Sequence, residues 1–253
     1  MQPPAPFDQF DMTGRTVVVT GGTRGIGLAL TEAYVAAGAN VVVASRKAEA
    51  CAEVADRLGD RVLGVATHMG SLEDVAALVE RAVEQFGAID VVVNNAANAL
   101  AQPVGEFTEE AWSKSFDVNL RGPVFLVQAA LPHLEASDHA AVLNVISAGA
   151  FMFSAGLSMY SAGKAALMSF TRSMAAELAP KRIRVNALAP GTVNTDMVRN
   201  NPPEVQQWMA RAAIMNRLAD PSEMVGPALL LTSDAGSFIT GQVLLADGGM
   251  VPH

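Results

Sequence analysis

Three valine triplets, at residues 17–19, 41–43 and 91–93, constrain the fold of this chain more than any other feature. β-Branched side chains favour extended backbone, and an unbroken apolar run leaves no polar face for water. Such runs fit strands buried on both sides, the condition of a parallel sheet covered by helices. The stretches that follow have helical patterning. Residues 16–19 lead into a helix over 26–37, 41–43 into 47–58, 62–66 into 72–86, and 91–93 into one long helix over 109–134. Residues 141–146 then precede a helix over 159–178, and 183–187 form a further strand. Gly38, Gly59 and Gly87 stand where helices should stop. The repeated strand–helix order predicts an α/β fold with a doubly wound parallel sheet.

Composition narrows the function. Hydrophobic residues make up 51% of the 253 positions and charged residues 17%, enough core for one large α/β domain. A net charge of −8 argues against a nucleic-acid footprint. Cys51 is alone, so no intrachain disulfide forms, and a reducing, cytoplasmic setting is expected. His68, His133, His139 and His253 lack metal-ligand spacing, so no metal is expected. Residues 1–13 read as a proline-bearing arm without signal-peptide character, and 14–253 as the working domain. No apolar run is long enough to span a membrane. The longest irregular stretch, about 192–216, contains Asn200-Asn201-Pro202-Pro203 and an amphipathic piece over 204–213, and reads as a substrate lid.

Between the first strand and first helix stands Thr20-Gly21-Gly22-Thr23-Arg24-Gly25-Ile26-Gly27. Glycines there let the backbone turn tightly against a pyrophosphate, and the helix start supplies unpaired N–H groups. A glycine-rich turn alone is a weak signal; its position makes it a dinucleotide site. NAD enzymes place an acid at the end of the second strand for the ribose 2′-hydroxyl. Here that place reads Ala44-Ser45-Arg46-Lys47, without a carboxylate. Arg46, assisted by Arg24, suits a 2′-phosphate, so NADP(H) is expected over NAD(H).

Tyr160 and Lys164 are four residues apart, which on a helix puts them on one face. A free phenol titrates near ~10, too high for acid–base work at neutral pH. A cation at ~5 Å in an effective dielectric of ~20 supplies roughly 3 kcal/mol, lowering that value by about two. An oxidised nicotinamide would add to the effect.

With these residues in view, the chain resembles the short-chain dehydrogenase/reductase family over nearly its whole length, from Thr20 to Gly249. Asn94-Asn95-Ala96-Ala97 is similar to the family's Asn-Asn-Ala-Gly. Asn119 and Ser147 match its active-site asparagine and serine, and Pro190-Gly191-Thr192-Val193-Asn194-Thr195 resembles its carboxamide-holding segment. The resemblance implies a single Rossmann-like domain whose seven-stranded parallel sheet ends in a strand at 241–246. It implies that Tyr160 moves the proton, Ser147 holds the reacting oxygen, Lys164 tunes Tyr160 and binds the nicotinamide ribose, and Asn119 anchors a water chain. It also places Gly21, Thr23, Arg24, Gly25, Ile26, Gly27, Ser45, Arg46, His68, Met69, Asn95, Ala96, Ala97, Pro190, Gly191, Val193 and Thr195 on the cofactor, with Tyr160 and Lys164. Asn94 has a structural, cofactor-side role. Two departures stand out: Ala97 replaces a glycine, and His68 replaces an adenine-contacting aspartate. Family members are commonly homotetramers, which implies an oligomer.

Phe151, Phe153 and Met159 between the serine and tyrosine, with Met197, Trp208, Met209 and Met215 in the lid, suggest a mostly apolar ketone or secondary alcohol as substrate. A 3-oxoacyl-[acyl-carrier-protein] reductase is the alternative. A non-catalytic dinucleotide sensor would not need the intact Asn/Ser/Tyr/Lys set. Related enoyl reductases put six residues between tyrosine and lysine, against three here.

Overall fold

In a computed structural model, which describes residues 8–152 and 155–251, seven strands form one sheet in the order β3-β2-β1-β4-β5-β6-β7. They are β1 (Thr16–Thr20), β2 (Asn40–Ser45), β3 (Val62–Ala66), β4 (Val91–Asn94), β5 (Ala141–Val145), β6 (Arg184–Pro190) and β7 (Val243–Ala246). Every pairing is parallel. The valine triplets sit in register at the centre, with Val17, Val18 and Val19 opposite Val41, Val42 and Val43 on one side and Val91, Val92 and Val93 on the other. Alternate residues feed opposite cores. Val17, Val19, Val41 and Val43 pack with Leu30, Tyr34 and Ala228, while Val18, Val42 and Val92 pack with Leu78, Leu126 and Leu134. Both faces are dry, which is why the strands carry no polar alternation. Each buried valine contributes about 1.5–3 kcal/mol.

The helices are α1 (Gly25–Ala36), α2 (Ala48–Leu58), α3 (Leu72–Phe86), α4 (Glu109–Phe116), α5 (Gly122–Ala136), α6 (Ser158–Leu178), α7 (Asp196–Arg199), α8 (Pro203–Arg211) and α9 (Val225–Thr232). Helix α3 coincides with its predicted span because both ends carry local signals. Ser71 Oγ accepts the Asp74 N–H at 3.1 Å, and Gly87 closes the helix in a left-handed conformation at φ 77°. The helix expected over 109–134 is present and runs without a break to Ala136. A π turn, Asp117–Arg121, bulges it between the parts labelled α4 and α5, where Asn119 lies. Strand β6 runs three residues beyond its predicted end. Strand β7 starts at Val243 rather than Gly241, whose φ of +71° is not that of a strand. Among the described residues no helix is long and apolar enough to cross a membrane.

Candidate active site

Strand order reverses between β1 and β4, and connections leave that point in opposite directions. In open α/β sheets this opens a crevice above the carboxyl ends of the strands. The glycine turn stands at this point, tied to β4. Thr20 Oγ1 donates to Val93 O at 3.2 Å and accepts the N–H groups of Asn95 and Ala96 at 3.0 and 3.1 Å. Asn95 Nδ2 donates to Thr20 O at 2.8 Å and Gly21 O at 3.2 Å. A Cβ on Gly27 would stand 2.1 Å from Gly21 O and 2.5 Å from Asn95 Nδ2, so only glycine fits. No side chain caps the start of α1 at Arg24. A cradle closed to any Cβ, beneath uncapped N–H donors, fits a pyrophosphate.

At the end of β2, Thr23 Oγ1 donates to Ser45 Oγ at 3.1 Å. Arg46 is exposed and, among the described residues, has no acidic partner. Arg24 is exposed but turns toward Asp196 Oδ2 at 3.4 Å. This hydroxyl and guanidinium set fits a phosphate. His68 is exposed, and its Nδ1 accepts the Gly70 N–H at 3.2 Å. Three predicted cofactor residues turn their side chains inward. Met69 and Val193 are buried in the two cores, leaving only their main chains to meet a ligand, while Ile26 packs against one core and stays partly exposed. Ala97 is exposed, so its methyl crowds nothing in the protein.

Ser147 follows β5 and caps a short turn, its Oγ accepting the Gly149 N–H at 3.0 Å. That leaves the hydroxyl proton free to donate. Tyr160 and Lys164 lie in the first two turns of α6. Lys164 is 1% exposed; its Nζ donates to Val145 O at 2.7 Å and sits 5.9 Å from the Tyr160 ring centroid. Burial lowers the lysine from its ordinary value to about 8. Burial also pushes the Tyr160 phenol up, and the Ser147 hydroxyl draws it part of the way back. This corrects the expectation from spacing: the ammonium, turned to the β5 carbonyl, does not bring the phenol below its ordinary range.

Asn119 is fully buried. Its Nδ2 donates to Asn98 O at 2.8 Å and to Asn98 Oδ1 at 3.1 Å, while its Oδ1 accepts the Asn98 N–H at 3.2 Å. Asn98 escaped the sequence reading, because nothing local pairs it with a residue 21 positions away. Asn94 Nδ2 donates to Asn144 Oδ1 and Pro123 O, bracing β4 against β5.

Pro190 closes β6, and Gly191 and Thr195 continue the same segment. Thr195 packs on the glycine turn: a Cβ on Gly25 would stand 3.0 Å from Thr195 Cγ2. Of the predicted substrate residues, Phe151 is exposed and Phe153 lies outside the described residues. Met159 is 2% exposed, packed into the start of α6 with no surface for a ligand, contrary to expectation. The lid stretch holds α7 and α8; residues 212–213 of the expected amphipathic piece are not helical. A cavity of about 390 Å³ at the ends of β6 and β7, lined by residues including Gly191, Met215, Arg217 and Asp247, touches none of the four catalytic candidates.

Residues 14–251 match the family model described as enoyl-(acyl carrier protein) reductase. The chain is 36% identical over 244 residues to human dehydrogenase/reductase SDR family member 4, covering 94% of this chain and 88% of that protein. It is 39% identical over 239 residues to cis-4-hydroxycyclohexanecarboxylate dehydrogenase of Sinomonas cyclohexanicum, covering 93% and 96%. A short-chain type dehydrogenase/reductase from Mycobacterium marinum superposes with a TM-score of 0.92 at 29% identity, covering 98% of this chain and all of that one. The family uses NAD(P)(H) on alcohol and carbonyl groups of small molecules. With its parallel sheet, its glycine cradle and these relatives, the chain belongs to the short-chain dehydrogenase/reductase family of oxidoreductases.

Proposed function

We propose that the protein is an NADP(H)-dependent oxidoreductase that interconverts a mostly apolar ketone and its secondary alcohol. The convergence of Ser147, Tyr160 and Lys164 at the end of β5 and the start of α6 carries this reading. When bound, the nicotinamide supplies or accepts the hydride. Tyr160 Oη gives its proton to the carbonyl oxygen as negative charge develops there. Ser147 Oγ donates a hydrogen bond to the same oxygen, its position held by the bond it accepts from the Gly149 N–H. A phenol raised by burial stays protonated at neutral pH, so the unliganded site is poised for reduction. Lys164 offers its remaining N–H donors to the ribose hydroxyls. Asn98 takes up the Asn119 side chain, so the main-chain carbonyl of Asn119 anchors the water chain.

Thr23, Ser45, Arg46 and Arg24 support the 2′-phosphate, and hence NADP(H). The curated relative acting on a hydroxycyclohexane ring supports a carbon-skeleton alcohol as substrate. We place the enzyme in the cytoplasm on its single buried thiol. A homotetramer follows the family habit, with exposed Trp112, Phe125 and Phe170 available for subunit contacts.

Initial rates on cyclic and linear ketones and on an acetoacetyl thioester, each with NADPH and with NADH, test the reading. Preference for NADPH and simple ketones supports it. Preference for the thioester makes it an acyl-carrier reductase, and preference for NADH removes the 2′-phosphate assignment.

A further inference from the structure

The loop 68–70 after β3 lies far in sequence from the π turn Asp117–Arg121 and the Gly122 that follows it, but meets them at three points. Arg121 Nε pairs with Asp117 Oδ1 at 2.9 Å, and Arg121 Nη2 donates to Gly70 O at 2.9 Å. Gly122, at the start of α5, lies so close to the loop that a Cβ would stand 2.1 Å from Met69 O. A Cβ on Gly70 would come within 3.5 Å of Asp117 Cβ. The far side of this π turn carries Asn119, clamped by Asn98. The Arg121 side chain is 45% exposed, so filling the core is not its main work. One guanidinium therefore spans from the carbonyl of one loop to the turn that sets a candidate catalytic residue.

We propose that Arg121 is a positioning residue that transmits occupancy of the adenine end of the cofactor to the turn holding Asn119. The proposal rests on the dinucleotide reading above. Loop 68–70 would contact the adenine through its main chain and His68. Its ordering would pull on Gly70 O, and through Arg121 on Asp117, tightening the π turn from a distance. Binding energy gained at a remote part of the cofactor would then be used at the reacting end.

Hydrogen exchange with adenosine 2′,5′-bisphosphate tests this without turnover, because this fragment lacks the nicotinamide half. In the wild type the fragment should slow exchange both in loop 68–70 and in the amides of 117–122. In Arg121→Ala it should still protect the loop but no longer the π turn. With the full cofactor, kcat of that variant should fall roughly fivefold while the ketone KM holds, and Arg121→Lys should recover part of the loss. Should the alanine variant fail to fold, Arg121→Lys alone must show weakened π-turn protection. Undiminished protection in the folded variant, or none in the wild type, overturns the proposal. If the fragment does not bind the wild type, the dinucleotide reading falls and the proposal with it. If ketone reduction is normal but the protection pattern is unchanged by substitution, only the role of Arg121 falls.

Discussion

The glycine cradle and the proposed lid touch at Gly25 and Thr195 and are built on opposite rules. In the cradle, bonds span 75 residues of sequence, from Thr20 and Gly21 to Asn95 and Ala96, and leave no room for one added carbon at Gly27. In the lid, the side-chain bonds other than Arg24–Asp196 are local. Gln206 Nε2 reaches back to Arg199 O and Asn201 O, and Asn201 Nδ2 to Met197 O and Val198 O. No residue of α8 is buried. The cradle is preorganised before any ligand arrives, whereas the proposed lid leaves Met197, Trp208 and Met215 exposed, apolar surface that closure over a substrate would bury. Cofactor binding should therefore be intolerant of small changes, and substrate binding tolerant of them.

Tyr160 belongs to neither region, and its loss sets the upper bound. Tyr160→Phe should lower kcat by about 10²–10⁴-fold, the usual worth of a positioned proton donor, with cofactor affinity unchanged. A variant at full speed would move the chemistry elsewhere. On the cradle side, Gly27→Ala sets a methyl against Gly21 O and should cost about 1–3 kcal/mol of stability, with a large loss of cofactor affinity. Wild-type melting temperature and Kd for NADPH in that variant would show the cradle to be softer than its packing indicates.

Lys164 gives the comparison a pH axis. The folded chain releases this proton near 8, whereas the unfolded chain keeps it to its ordinary 10.5. Between those values the unfolded state binds more protons, so the contribution of the group to stability rises with pH. Below pH 8 the buried charge is a cost in the folded state. The stability of wild type relative to Lys164→Met should improve across this window by on the order of 3 kcal/mol. Parallel denaturant melts from pH 7 to 10 measure it, and a constant difference would place the lysine in contact with water or an unseen anion. Arg46→Ser should be milder: about a tenfold fall in kcat/KM for NADPH with NADH unaffected, a guanidinium–phosphate contact being worth about 1.5–3 kcal/mol at most. Equal losses on both cofactors would leave Arg46 without a phosphate.

What could be read from the sequence follows the same division. The triplet strands, the cradle and α3 carry local signals: β-branched runs, glycines at close contacts, and the Ser71 and Gly87 ends. The π bulge within the long helix does not. Residues 109–134 keep helical patterning throughout, and the π turn is specified by contacts with Asn98 and Gly70 from distant segments. The Tyr160–Lys164 spacing brings the pair together, yet the ammonium direction is set by Val145 on a neighbouring strand. Met159 illustrates the same limit: its apolarity suits a pocket or a core, and only packing decides.

The mildest test is the sharpest for the lid. Trp208 is 70% exposed on α8, near exposed Met197 and Met215 in the same stretch of chain. Its removal takes away little that the folded protein now buries, so stability of Trp208→Ala should stay within ±0.5 kcal/mol of wild type. If the lid closes over an apolar substrate, burying about 40 Å² of the indole contributes about 1 kcal/mol. Substrate KM should then rise about fivefold for a bulky ketone and hardly at all for a small one, with kcat held. That size dependence separates a closing lid from a static surface. Equal effects on both ketones would mean that Trp208 shapes the site without touching substrate. A drop in melting temperature would mean that α8 is as tightly integrated as the cradle, and the contrast between the two regions would fail.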